Sequence, residues 1–177
     1  MAVTANDFLT HLNPNQPLVT FFIAGDFYSI CLHVSRMADM NLSIHLTYDG
    51  HCEAAFAFYQ RCLGGTIATM LKYGDSPMAA EVSPEWRHKI LHATLIIGES
   101  TLAGADVLPE HYARPMGFFA LLEVEDPTDA ERIFHSLSEN GTVQMPIQET
   151  FWASRFGVLV DQFGIPWEIN CAARIAA

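Results

Sequence analysis

The sequence predicts an α+β fold in which two βαβββ modules pair into a cup-shaped mixed β-sheet with helices on the outside. Three observations predict it. Leu42, Ile44, Leu46 and Tyr48 alternate with Ser43, His45 and Thr47, the period of two expected of a half-buried strand. A helical run follows and stops at Gly64-Gly65. The whole strand-helix-strand pattern then recurs at an offset of 76 residues.

Taken in order, the chain opens with a segment of different character. Asn13-Pro14-Asn15-Gln16-Pro17 breaks it, and the apolar stretch that follows has neither strand alternation nor helix caps. Residues 1–40 therefore read as an N-terminal extension outside the main domain, which spans 41–177. Met40 stands just before the first patterned strand, so the extension reads as the product of an upstream start codon. Expression from Met40 tests this, and lost folding or solubility would count against it.

Asp49-Gly50 closes the first strand, and Ala54, Ala55, Phe58, Tyr59 and Cys62 follow helical spacing. Strands are expected at Thr66 to Lys72, Ile90 to Ile97 and Thr101 to Ala105, with a longer loop carrying Pro77 and Pro84 between the first two. These complete a first module at about 41–106. The offset lays Leu42 on Phe118, Leu46 on Leu122, Glu53 on Asp129, Ala54 on Ala130, Phe58 on Phe134, and Gly65-Thr66-Ile67 on Gly141-Thr142-Val143. Helix, helix stop and next strand thus agree without a gap, although identical residues are few. The second module, about 116–171, continues with strands near Val143 to Gln148, Arg155 to Asp161 and Pro166 to Cys171. A βαβββ unit leaves one sheet face covered by its helix and the other bare, so two units must bury or share the bare faces.

Composition excludes several function classes. The 177 residues suit one ordinary globular domain, with 50% hydrophobic and 16% charged content. A net charge of -11 with only 9 Lys and Arg argues against nucleic acid, acidic partners and anionic membranes. Cys31, Cys52, Cys62 and Cys171 form no CxxC pair, which favours a reduced, cytoplasmic protein. The run from Leu18 to Val34 contains Asp26 and is preceded by no basic residue, so neither signal peptide nor membrane span is expected. No Gly-x-Ser-x-Gly elbow, His-Glu-x-x-His run or P-loop occurs. Cysteine nucleophilic catalysis is unsupported, because Cys52 and Cys62 sit on the covering helix with no His to pair.

Several motifs together carry a family resemblance: Asp49-Gly50-His51-Cys52-Glu53-Ala54-Ala55 ahead of Phe58-Tyr59, His92-Ala93, Glu149-Thr150-Phe151-Trp152-Ala153, Arg155-Phe156-Gly157, and the run from Asp161 to Asn170. Over residues 41 to 171 the chain resembles the PhnB-like branch of the vicinal oxygen chelate superfamily, which comprises glyoxalases, bleomycin-resistance proteins and dioxygenases. Domains of that branch are sometimes labelled ubiquinone-pathway methyltransferases, but no Gly-rich loop between a strand and a helix is present to hold a nucleotide-like cofactor. The resemblance implies a cytosolic homodimer with a small-molecule pocket in each cup, in a superfamily whose enzymes often hold one divalent metal there.

In metal-using relatives the ligands are His, Gln or Glu on the first and last strands of each module, since an open-sided metal needs three or four convergent donors. Carried over, the resemblance points to His45 and Glu168 as tentative ligands. The usual first-strand position falls nearer Ser43, whose repeat partner Phe119 binds no metal, and the last strand of module one presents Leu102. His45 reads equally as a hydrogen bonder or general base, and Glu168 as the ion-pair partner of Arg155. The expected pocket lining is His45, Ser43, Thr47, Phe119, Leu121, Glu123, Glu149, Trp152 and Glu168. His92 reads as a hydrogen-bonded structural residue, and His51, His88, His111 and His135 receive no role. Glu149, Phe151, Trp152 and Arg155 form a pocket rim, a dimer contact or simple packing. Trp86, Arg87 and His88 suggest a lid hinged at Gly74. Two readings result: a small-molecule binder with its reaction unassigned, or a divalent-metal lyase, isomerase or dioxygenase using Glu168 and His45. A third is a domain that only dimerises, its cup filled by side chains.

Overall fold

The computed structural model describes residues 42–173 throughout and, ahead of them, the strands Val19–Ile23 (β1) and Asp26–Ile30 (β2). The chain divides into two compact units, Met1–Leu42 and Ser43–Ala177. In the first, β1 and β2 pair antiparallel, with Val19 opposite Ile30 and Ile23 opposite Asp26. The sequence shows no strand alternation here, and the stretch nonetheless pairs as two strands. Val, Thr, Phe and Ile supply β propensity without alternation.

The second unit contains two modules in the predicted order. The first runs β3 (Ile44–Tyr48), α1 (Cys52–Leu63), β4 (Thr66–Lys72), β5 (Ile90–Ile97) and β6 (Ser100–Asp106). The second runs β7 (Ala120–Glu123), α2 (Pro127–Leu137), β8 (Thr142–Gln148), β9 (Ala153–Val160) and β10 (Pro166–Ala172). The 76-residue offset lays β4 on β8 residue for residue. Its steric basis lies at the helix exits. A Cβ on Gly65 would lie 2.2 Å from the Ile96 carbonyl oxygen, and one on its repeat partner Gly141 2.5 Å from that of Val160. Each glycine lets the chain leaving its helix pass against its module's third strand.

Each module is an α+β unit with its own four-stranded mixed sheet, in the orders β3-β6-β5-β4 and β7-β10-β9-β8. The parallel pairs β3/β6 and β7/β10 are joined to antiparallel neighbours, as a βαβββ connection requires. Strands pair within modules, so the cup expected from the sequence is two sheets rather than one continuous surface. The helix-covered faces share one core: Leu46, Phe56, Tyr59 and Leu95 of the first module cluster with Phe134, Leu159, Trp167 and Ile169 of the second. Arg132 of α2 donates to the Cys62 carbonyl at the end of α1 (3.3 Å), so the two helices touch.

Asp161 fastens the modules together. Its Oδ1 accepts from the backbone amides of Phe163 and Ile165, and its Oδ2 from the Tyr59 hydroxyl (2.7 Å) and Trp167 Nε1 (2.9 Å). Four donors saturate a carboxylate that is 4% exposed, which is how its charge is tolerated inside. Asp106 does a more local job, accepting from Cys52 N and Ile90 N and so capping α1, whose own N-cap residue His51 makes no side-chain cap bond. Among the described residues no helix is long and apolar enough to cross a membrane.

Candidate functional site

Side chains of a strand alternate between faces, so the register fixes what each sheet presents away from its helix. In the first sheet, Leu46 and Gly104 lie opposite each other on the helix face, since a Cβ on Gly104 would meet the Phe56 ring. The other face therefore carries His45 opposite Ala103, Ala103 opposite Thr94, Thr47 opposite Ala105, and His92. In the second sheet Trp167 and Ile169 are buried in the core. The face beyond them carries Glu168, between Leu121 and Val158, and Asn170, between Glu123 and Phe156.

The first open face is polar. The His45 and His92 rings stand 6.0 Å apart at 36°, and His92 Nε2 shares a 3.0 Å hydrogen bond with Thr94 Oγ1. Burial, and secondarily the neighbouring His92, hold the His45 imidazole below the usual histidine range. At neutral pH the ring is a neutral donor and acceptor. The structural role expected for His92 is realised through Thr94, but the residue also shares a face with His45. Alternation puts His92 and Thr94 together in the sequence, whereas setting His45 beside them requires the strand register.

The second open face is mainly apolar. Phe119 is 43% and Leu121 52% exposed, and Trp152 packs edge-on against Phe151 (4.5 Å) and Phe156 (5.5 Å). Glu123 and Glu149 are exposed, Glu168 is half-buried, and Ser43 is exposed just ahead of β3. Arg155 donates through Nε to Glu131 of α2 at 2.5 Å and through Nη1 to the Ser154 carbonyl. The partner expected for it, Glu168, lies on β10 instead, and the acceptor proves to be a helix residue that strand patterning does not bring to mind.

The expected lining residues thus fall into two groups on two sheets, with His45 in one and Glu168 in the other. A resident divalent ion needs several convergent donors, and no group of three or more His, Cys, Asp or Glu side chains gathers in that way among the described residues. Cysteine chemistry is also disfavoured: Cys52 and Cys62 are buried against the sheet, and burial pushes both thiols up. Gly74 allows a close approach, since an added Cβ would lie 2.9 Å from the Arg87 carbonyl, which accepts the Gly74 amide at 2.7 Å.

A separate cleft of about 470 Å³ opens where the turn after β3, the linker between the modules and the turns before β8 and β10 meet. None of the residues expected to line the pocket borders it.

Two βαβββ modules with open sheet faces define the fold class, and similarity narrows it. Residues 43–169 match the model of the Glyoxalase/Bleomycin resistance protein/Dioxygenase superfamily, and the chain belongs to that superfamily. It is 36% identical over 139 residues to protein YjdN of Escherichia coli, covering 74% of this chain and 95% of that protein. Protein PA1353 of Pseudomonas aeruginosa superposes with a TM-score of 0.67 at 40% identity, over 75% of this chain and 98% of that one. The PhnB protein of Bacillus cereus has the same fold, with a TM-score of 0.64 at 21% identity, over 75% of this chain and 100% of that one. The chain is thus a member of the superfamily that is similar to YjdN and shares the fold of the PhnB protein.

Proposed function

We propose that the protein is a cytosolic small-molecule binder whose cup forms between two copies. The polar open face of module one, with Ser43, His45 and Thr47, lies across from the open face of module two of the partner, with Phe119, Leu121, Glu123 and Glu168. Glu149 and Trp152 sit at the rim. The functional body begins near residue 41.

The observation that carries this reading is the pair of bare sheet faces. Apolar side chains as exposed as Leu121, Phe119 and Trp152 on one sheet surface mark a contact or ligand surface. Superfamily membership supports the small-molecule ligand, and the cysteines of the described residues, Cys52, Cys62 and Cys171, are buried and free, which fits a reducing compartment.

A second reading, a divalent-metal lyase, isomerase or dioxygenase, draws on the neighbouring His45 and His92. In the dimer, Glu168 of the partner subunit would join those imidazoles. Sedimentation equilibrium separates the possibilities when combined with elemental analysis of untagged protein. A dimer that Leu121→Lys converts to monomer supports the intersubunit cup, and a monomeric wild type refutes it. A stoichiometric divalent ion lost in Glu168→Ala favours the metal enzyme, while a metal-free dimer favours the binder.

A further inference from the structure

The cleft between the modules has a charge arrangement that folding alone does not require. Among the described arginines, Arg61 lies over the Phe58 ring, Arg87 donates to the Ala79 carbonyl, Arg132 pairs with Asp129, and Arg155 pairs with Glu131. Arg114 borders the cleft, and among the described residues it has no hydrogen bond, ion pair or ring partner. The chain holds 20 Asp and Glu against 9 Lys and Arg, so a shortage of carboxylates does not account for an unpaired guanidinium.

The two carboxylates bordering the cleft differ in availability. Asp161 is saturated by its four donors. Asp49 is half-exposed, and the polar partner it has is His51, at 3.7 Å. Tyr112 lies within electrostatic reach of both Asp49 and Arg114, and burial followed by Asp49 pushes its hydroxyl up while Arg114 opposes them. The amide side chains of Asn140 and Gln162 complete the wall, free of side-chain hydrogen bonds among the described residues. The lining thus offers a fork-shaped cation, an available anion and neutral hydrogen bonders, in a volume of about 470 Å³. That volume lies within the usual range of small-molecule sites.

We propose that this cleft is a second ligand site, separate from the open sheet faces, for a small carboxylate that also carries a hydroxyl or amine. Arg114 receives the carboxylate in a two-pronged contact, the geometry a guanidinium favours. Asp49 accepts from the ligand's hydroxyl or amine, with Tyr112 beside it. No bond is made or broken.

The test is a ¹H–¹⁵N NMR titration of the full chain with glycolate, and with acetate as the probe lacking the donor. Glycolate should shift the amides of Asn140, Gly141, Gln162 and Gly164 saturably while those of His45, Thr47 and Ala103 stay in place. Acetate should bind more weakly, by about tenfold, the loss of roughly one hydrogen bond to a charged group. Arg114→Gln should weaken glycolate by about tenfold or more, the cost of a charge-assisted contact, and Arg114→Lys should fall between, since it keeps the charge but not the fork. Spectra of the free variants that overlay on wild type establish that they fold. Absence of saturable shifts in the cleft, or unchanged glycolate binding in Arg114→Gln, would overturn the proposal. Shifts confined to the sheet-face amides would overturn it while leaving the intersubunit cup intact.

Discussion

On β3 the open face carries His45 and Thr47, and at the repeat-equivalent places on β7 it carries Leu121 and Glu123. Helix, helix exit and second strand correspond between the modules, yet the bare surfaces have diverged. One holds neighbouring imidazoles with a threonine bonded to one of them, and the other holds Glu168 between Leu121 and Val158, with the exposed Phe119 and with Trp152 packed on Phe156. The covered faces are constrained by a shared core in which a lost methylene is felt. The open faces carry no such constraint and are where ligand chemistry can differ.

The buried carboxylates extend the comparison and give the largest expected effect. Asp106 serves module one alone through two backbone amides, while Asp161 joins Tyr59 of module one to Trp167 of module two. Asp161→Ala leaves four donors without an acceptor and should cost about 3 kcal/mol or more. Asp106→Ala orphans two and should cost about 2 kcal/mol. Urea denaturation measures both. Equal losses would mean that the link between modules adds nothing beyond local capping.

A second contrast concerns how each helix seats an aromatic ring on its sheet. A Cβ on Gly104 of β6 would lie 2.6 Å from the Phe56 ring, and one on Gly157 of β9 would lie 2.6 Å from the Phe134 ring. The modules thus place the gap on different strands, the last in module one and the third in module two. Alanine at either glycine should destabilise by about 1–3 kcal/mol through overpacking. At Gly104 the Leu46 carbonyl is also near, 3.1 Å from the built Cβ, and at Gly157 so is the Ile147 Cα at 3.0 Å, so the added methyl would meet backbone as well as a ring. Compensation by Phe56→Leu in the Gly104→Ala background, read from the same denaturation curves, checks the cause.

Much of this fold was legible. Strict alternation over 44–48 marked β3, and β4 and β5 have the expected boundaries because Gly65 and the Pro-containing loop punctuate them. The second helix carries its own start signal, Asp126 accepting from Thr128 N and Asp129 N ahead of Pro127. The start of α1 was less legible, since its cap is Asp106, 54 residues away. Long-range partners left no local pattern. For the same reason, pairing of modules could be foreseen but not which faces they would share. The cleft was invisible, because Asp49, Tyr112, Arg114, Asn140 and Gln162 come from three turns and the linker between the modules, with no common spacing.

The smallest expected effect probes the open face that differs most between the modules. Because burial and His92 lower the His45 pKa, the folded protein binds fewer protons near pH 6.5 than the unfolded chain does. Stability is therefore fully present above the unfolded value and is lost as pH falls through and below it. The size of the loss is limited because His45 stays partly in contact with water. NMR titration of the ring should give a midpoint below 6.5 that rises in His92→Gln, since removing the second imidazole removes the lesser of the two causes. Leu121, at the equivalent place on β7, has no proton to give, so His45→Leu should flatten this part of the pH dependence and make the two faces alike. An unchanged midpoint in His92→Gln would mean that burial alone sets the value and that the two imidazoles are neighbours without being coupled.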